Sequence, residues 1–205
     1  MCIRDSLLGY KGEKIIEYYD RQKKSGFSDL RLLSKVSEKI NHEPIIEYLD
    51  TGLETAIWQR LYLAREKLKE KTFMVNYGDG LADLNINTVL NFHKKHGKCG
   101  TVCIVKTHSQ YGKVVIDSND QVKHFIEKPI QSFWVNGGFF IFNQGIFQYL
   151  ERGMCEAKQP LDLLASDGEL MAFKHPGFWK CMDTFKDLNK LNEIYLEGTA
   201  KWLNF

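Results

Sequence analysis

Apolar positions recur along the chain with two different periods. In GEKIIEYYDRQKK, residues 12–24, Ile15, Ile16 and Tyr19 fall at helical spacing, and Gly26 is placed to stop that helix. The stretch 28–42 is polar, and its period is ambiguous. PIIEYLD, residues 44–50, alternates as a strand does, and TGLETAIWQRLYLAREKLKE, 51–70, reads as an amphipathic helix with Ile57, Leu61 and Leu68 on one side. TFMVNYGDG then joins an apolar strand-like run to the helix-like LADLNINTVLNFHKKHG, with a helix over 86–96 ended by Gly97. GTVCIVKT is a β-rich run, and YGKVVIDSNDQVKHFIEKP is a hairpin that turns at DSND. WVNGGFFIF is a further strand, GIFQYLERG and QPLDLLASDG are short helices, ELMAFKH and FWKCMDT are late strands, and 184–197 is a final helix.

Helices alternating with short buried strands in the first half predict an α/β fold, doubly wound around a mainly parallel sheet. The hairpin-rich middle adds antiparallel strands. In such sheets ligands sit where the loops converge at the carboxyl ends of the strands, and YGDG, Tyr77–Gly80, sits at such an end. No internal repeat, low-complexity tract or linker interrupts the chain, so residues 1–205 are expected to form a single domain. Its length, with 43% hydrophobic and 26% charged residues, suffices for one sizeable core and would be cramped for two. MCIRDS has no periodicity, and LLGYKGEK reads as the end of a strand running into a helix. The chain therefore looks as if it begins in mid-element, with residues 1–6 outside the native fold.

A formal net charge of +2 and scattered basic residues argue against nucleic acid as a partner. Cys2, Cys99, Cys103, Cys155 and Cys181 are odd in number and form no CxxC pair, which argues against a disulfide framework or a zinc site and fits a reducing cytosol. No apolar run reaches the ~20 residues that span a bilayer, and the N-terminus lacks the apolar core of a signal peptide, so a cytoplasmic protein without membrane contact is expected.

Four short segments carry candidate chemistry. In YGDG, Asp79 between Gly78 and Gly80 is either a turn former or a hard oxygen ligand for a cation such as Mg²⁺. In GFWKCMDT, Asp183 follows a strand-like run, where it either caps the next helix or supplies a second carboxylate to the same ion. Glu127 and Lys128 in EKP are a solvated strand end, or a hydroxyl acceptor beside a point cation for phosphate. Asn136 and Gly137, in VNGGFF, mark a β-bulge or a place where a ligand lies against the backbone.

In this order and spacing the segments resemble the sugar-phosphate nucleotidyltransferase family, and within it the glucose-1-phosphate cytidylyltransferase branch. The resemblance runs from LGYKGEKIIEYY to the C-terminus and is densest in TFMVNYGDGLADLNINTVLNFHKKHGK and GELMAFKHPGFWKCMDTFKDLNKL. It implies a Rossmann-like mixed sheet of the nucleotide-diphospho-sugar transferase fold, lacking its first strand. It also implies CTP and glucose 1-phosphate as substrates, transfer of CMP with release of pyrophosphate, Mg²⁺ as cofactor, and a homo-oligomer. By motif, Asp79 and Asp183 take the metal positions and act with Lys128 in catalysis. Tyr77, Gly78, Glu127, Lys128, Asn136, Gly137 and Trp179 take the substrate positions. The family's Gly-rich GGxGTR loop has no counterpart in these residues, which leads us to expect no turnover by this stretch alone. In TAIWQR, Trp58 and Gln59 stand where the branch has glycines, which leaves the base, and with it another nucleotide or sugar phosphate, open.

Overall fold

The computed structural model describes residues 3–24 and 45–203. The helix stop expected at Gly26, the polar stretch 28–42 and residues 1 and 2 lie outside the described residues. In chain order the elements are β1 (Ile3–Leu8), α1 (Gly12–Lys24), β2 (Ile45–Asp50), α2 (Ile57–Leu63), β3 (Thr72–Asn76) and β4 (Gly80–Ala82). They continue with α3 (Ile86–His96), β5 (Gly100–Val105), β6 (Lys113–Ile116), β7 (Val122–Ile126), β8 (Val135–Asn143) and α4 (Ile146–Glu156). The last are α5 (Pro160–Ser166), β9 (Leu170–Lys174), β10 (Trp179–Cys181), α6 (Phe185–Leu196) and a 3-10 turn, Lys201–Leu203. The described residues divide into two compact units, one of those up to Phe73 with Gln144–Asp167, the other of Met74–Asn143 and those from Gly168 to 203.

In the first unit β1 and β2 pair in parallel, from Ile3 opposite Ile45 to Leu8 opposite Asp50. The strand thus reaches back to Ile3, where the pattern marked only its end at Leu7 and Leu8: parallel pairing with the apolar β2 orders a segment that has no period of its own. Arg60 closes the carboxyl ends of both strands by donating from Nη1 to the Leu8 carbonyl (2.9 Å) and Thr51 Oγ1 (2.5 Å) and from Nη2 to the Leu53 carbonyl (3.1 Å). The long helix expected over 51–70 is only seven residues, Ile57–Leu63. Residues 51–56 are held as a loop against β1, and the Ala64 N–H is shared among the Arg60, Leu61 and Tyr62 carbonyls, so the chain leaves the helix in tightened turns. Leu61 is buried as expected, whereas Ile57 is half exposed. Ile146 and Leu150 of α4 and Leu163 and Leu164 of α5 complete this core, with Phe73 stacked on Phe147 at 5.7 Å.

The second unit holds a mixed four-stranded sheet in the order β3-β8-β5-β9, with β5 antiparallel to β8 and parallel to β9. Mixed α/β architecture is what the alternating pattern predicts. Helix α3 packs on β5, β8 and β9, burying Val89 with Leu84, Cys103 and Ile141. Its boundaries are those read from sequence: the Asn85 side chain accepts from the Thr88 N–H, and Gly97 adopts the left-handed C-cap. At its last turn the buried His93 and the half-buried His96 both meet the Thr101 hydroxyl, at 2.8 and 2.7 Å. Strands β6 and β7 form the expected hairpin, turning between Asp117 and Gln121, with all their side chains exposed.

One element differs from the sequence pattern in a way that matters for the site. YGDG is followed by a strand, not by a helix: β4 pairs antiparallel with β10, Gly80 opposite Cys181 and Ala82 opposite Trp179, and the helix waits until Asn85 caps it. A three-residue strand is too short to show a period, so only its partner reveals it. Among the described residues, no helix is long and apolar enough to cross a membrane, and Cys99, Cys103, Cys155 and Cys181 are free thiols.

Candidate active site

All the candidate site residues fall in the second unit. Strand β3 ends at Asn76, and the next residue is tied across to β8 by its N–H, Tyr77 donating to the Gly138 carbonyl at 2.9 Å. The chain then turns through Gly78 and Asp79 into β4. The β4–β10 ribbon continues one step past its last pair, because the Met182 N–H donates to the Asp79 carbonyl at 2.9 Å. That bond sets Asp79 beside Met182 and so brings it next to Asp183, which is distant in sequence. Both carboxylates line one open cavity of about 110 Å³, together with Tyr77, Gly80, Asn136, Gly137, Gly138, Trp179 and Cys181.

Asn136, Gly137 and Gly138 of the lining belong to a bulge in β8. Its pairing with β5 slips between Val102, opposite Phe140, and Ile104, opposite Asn136, so that Gly137–Phe139 stand against Cys103 alone and β8 carries two extra residues. The bulge and the ligand-approach readings of this segment are therefore one feature, since the bulge is what faces the cavity. Gly138 is left-handed at φ +76°, and a Cβ there would lie 2.9 Å from Tyr77 Cδ2. The Asn136 carboxamide oxygen accepts from the Gly138 N–H at 2.8 Å, while its nitrogen makes only a long contact, 3.5 Å, with the Tyr77 hydroxyl. Trp179 is fixed by its indole N–H, which donates to the Gly137 carbonyl at 2.7 Å.

Asp183 does not cap the following helix. Thr184 is the N-cap, in a capping box with Asp187, and Lys180 pairs with Asp187 at 2.5 Å, holding that carboxyl down at about 2. Asp183 is left exposed, with the Cys181 thiol donating to its Oδ2 at 2.7 Å. Burial first, then this bond to Asp183, pushes the Cys181 thiol up to about 11, so it stays protonated and is no nucleophile at neutral pH. Neither Asp79 nor Asp183 forms an ion pair with a Lys, Arg or His among the described residues.

Two exposed carboxylates without a cation suit a hydrated hard ion that brings phosphate oxygens with it. Among the described residues no group of three or more His, Cys, Asp or Glu could cage a metal, which disfavours a closed site of the zinc type. The cavity is smaller than the ~300 Å³ at which pockets for whole ligands begin, so it fits an ion and one edge of a sugar or phosphate.

The structure does not bring Glu127 and Lys128 into this lining. They follow β7 at the foot of the hairpin, both more than half exposed, with Lys128 Nζ 3.6 Å from Glu127 Oε1. Such a pair contributes little by itself. The backbone there is unusual, however: Lys128 is left-handed at φ +43°, its carbonyl contacts His108 Nδ1 at 3.0 Å, and Pro129 O accepts from the Ser109 N–H at 2.8 Å. A non-glycine residue held in that region costs of order 1–3 kcal/mol and is concentrated at ligand clamps. Sequence reasoning missed Cys181. The alternation of β10 could have found it, because Trp179, Cys181 and Asp183 are spaced by two and share one face. It also gave no role to Asp83 and His175, which meet at the far end of the ribbon.

A family model described as nucleotidyl transferase matches residues 10–198. The chain is 36% identical over 204 residues to a probable glucose-1-phosphate cytidylyltransferase of Bacillus subtilis (strain 168), covering 96% of this chain and 79% of that one. It is 35% identical over 210 residues to the glucose-1-phosphate cytidylyltransferase of Salmonella typhi, covering 98% and 81%. Among solved structures, UDP-glucose pyrophosphorylase complexed with UDP-glucose superposes with a TM-score of 0.66 over 96% of this chain and 81% of that one, at 14% identity, a likeness of fold.

Proposed function

The chain belongs to the nucleotidyl transferase family, and we propose that it forms CDP-glucose and pyrophosphate from CTP and α-D-glucose 1-phosphate in the cytoplasm, as a homo-oligomer. The observation that carries this reading is the pairing of Asp79 with Met182, which brings two carboxylates without an ion pair to a cavity lined by glycines of the bulge.

In the reaction an oxygen of the sugar phosphate attacks the α-phosphorus of CTP in line. The bond from that phosphorus to the bridging oxygen breaks, and pyrophosphate leaves with the electron pair. No protein nucleophile is needed, in keeping with the protonated Cys181 thiol. The protein's task is to position two polyanions and neutralise their charge. Asp79 and Asp183 would hold Mg²⁺, which when bound supplies charge neutralisation to the crowded phosphates. Lys128 brings a point cation to the sugar phosphate, and Glu127 accepts sugar hydroxyl hydrogens. Asn136, whose carboxamide nitrogen has only the long contact to Tyr77, donates to a sugar oxygen beside Gly137. Trp179 gives the sugar a rigid apolar wall, and Tyr77 and Gly78 border the turn that carries Asp79.

Trp58 and Gln59 support a second reading, transfer of another nucleotide. Calorimetric titration with CDP-, UDP-, GDP- and dTDP-glucose in the presence of Mg²⁺ tests both. CDP-glucose is expected to bind tightest. Preference for another base would favour the second reading, and no binding of any nucleotide sugar would overturn both.

A further inference from the structure

The β4–β10 ribbon has three residues in each strand, too few to define its own orientation, yet both proposed metal ligands hang from one end of it. Its other end is bolted down by residues given no role above. The Asp83 N–H donates to the Phe178 carbonyl at 3.2 Å, closing the ribbon. His175, 7% exposed, is fixed to the four-stranded sheet by its N–H, which donates to the Ile104 carbonyl at 2.9 Å. Its ring Nε2 lies 3.0 Å from the Phe178 carbonyl and 3.0 Å from Asp83 Oδ1. Nε2 carries at most one hydrogen, so only one of the two acceptors is served. The bond geometry favours Phe178, and Asp83 Oδ1 is left buried with no hydrogen bond of its own. Gly177 makes the arrangement possible, since a Cβ there would lie 2.2 Å from that same oxygen.

A buried carboxylate oxygen without a hydrogen bond is costly, and the fold retains it here although a glycine and a histidine have both been shaped around it. The cost is explained if the clamp fixes something else. We infer that Asp83 and His175 are positioning residues that hold the ribbon against the sheet and thereby set the spacing of Asp79 and Asp183. The inference rests on the metal role proposed for those two carboxylates. Asp83 is four residues from Asp79 along an extended strand, so a tilt at the clamp is carried to the carboxylates with little to damp it. Misplacement of a reacting group by about 1 Å costs about 10²-fold.

The experiment is Mn²⁺ binding to the protein, read by the loss of free-ion electron paramagnetic resonance signal, alongside thermal unfolding. In His175→Gln the side-chain amide can keep a donor near the Nε2 position, whereas His175→Phe keeps the ring's bulk and loses the donor. Asp83→Asn keeps the shape and removes the charge. Mn²⁺ affinity is expected to fall at least tenfold in His175→Phe and Asp83→Asn, and to stay within about threefold of the unsubstituted protein in His175→Gln. If His175→Phe does not fold, the Asp83→Asn result decides. Unchanged affinity in Asp83→Asn, with or without a lower unfolding midpoint, would reduce the clamp to a purely structural role and overturn the inference. Absence of Mn²⁺ binding in the unsubstituted protein would instead overturn the metal role itself, and the clamp's purpose with it.

Discussion

Gly138 lines the candidate site and Gly78 stands between two lining residues, Tyr77 and Asp79, but the fold requires only one of these glycines, and alanine at each separates structure from function. Gly138 is held at φ +76°, where an L-residue costs ~1–2 kcal/mol. Its new Cβ would also meet Tyr77 Cδ2 at 2.9 Å and Cγ at 3.3 Å, so the ring must leave its place 5.6 Å from Phe140, at ~1 kcal/mol for a strained rotamer. Gly138→Ala is therefore expected to lose about 2–3 kcal/mol in urea unfolding followed by tryptophan fluorescence. At Gly78 nothing lies within 4 Å of an added Cβ and φ is not positive, so Gly78→Ala should be neutral or gain up to ~1 kcal/mol. The open space at Gly78 belongs to a ligand on this account, and Gly78→Ala is expected to weaken nucleotide-sugar binding at least about tenfold, one charge-free contact's worth. Gly138→Ala as stable as the parent would refute the conformational reasoning. Gly78→Ala with full affinity would show that the glycine before Asp79 makes room for nothing.

Two further outcomes follow from side-chain duties. Because Thr184 and not Asp183 caps α6, Thr184→Ala should cost ~0.5–2 kcal/mol in the same unfolding assay, while Asp183→Asn should stay within about 0.5 kcal/mol and yet abolish Mn²⁺ binding. His96 is held below its ordinary 6.5 by burial first and by His93 beside it, against an opposing pull from Glu169. The unfolded chain then binds that proton more readily, so stability should fall as pH drops below about 6.5. His96→Gln should flatten unfolding midpoints compared between pH 7.5 and 5.5, and an unchanged slope would remove His96 as the cause.

Much of the fold is legible in the residues because the signals are local. Asn85 and Gly97 bracket α3, and Asp117 with its neighbours turns the β6–β7 hairpin, each through its own side chain or backbone freedom. What escaped depends on partners. Strand β4 has no period in three residues and exists because β10 pairs with it. The 51–70 segment carries the apolar spacing of a long helix, but contacts of Thr51 and Arg60 with β1 hold its start as a loop, and the Ala64 turn ends it early. Within the site, the types and order of Asp79, Asn136, Trp179 and Asp183 were readable as motifs. Their convergence rests on hydrogen bonds between elements, Met182 to Asp79, Tyr77 to Gly138 and Trp179 to Gly137, that no local pattern encodes. Cys181 was within reach of the local alternation of β10, whereas the Asp83–His175 contact is tertiary, and Gly78, Glu127 and Lys128 are not among the residues that line the cavity.

The central claim is that Asp79 and Asp183 share one cation at the mouth of the bulge. Crystals grown with Mn²⁺ and CDP-glucose, measured at the manganese absorption edge, test it most directly. The account predicts one anomalous peak contacted by a carboxylate oxygen of each residue at ~2.0–2.2 Å and by the ligand's phosphates. CDP-glucose bound with manganese held elsewhere, or by only one of the two carboxylates, would contradict it.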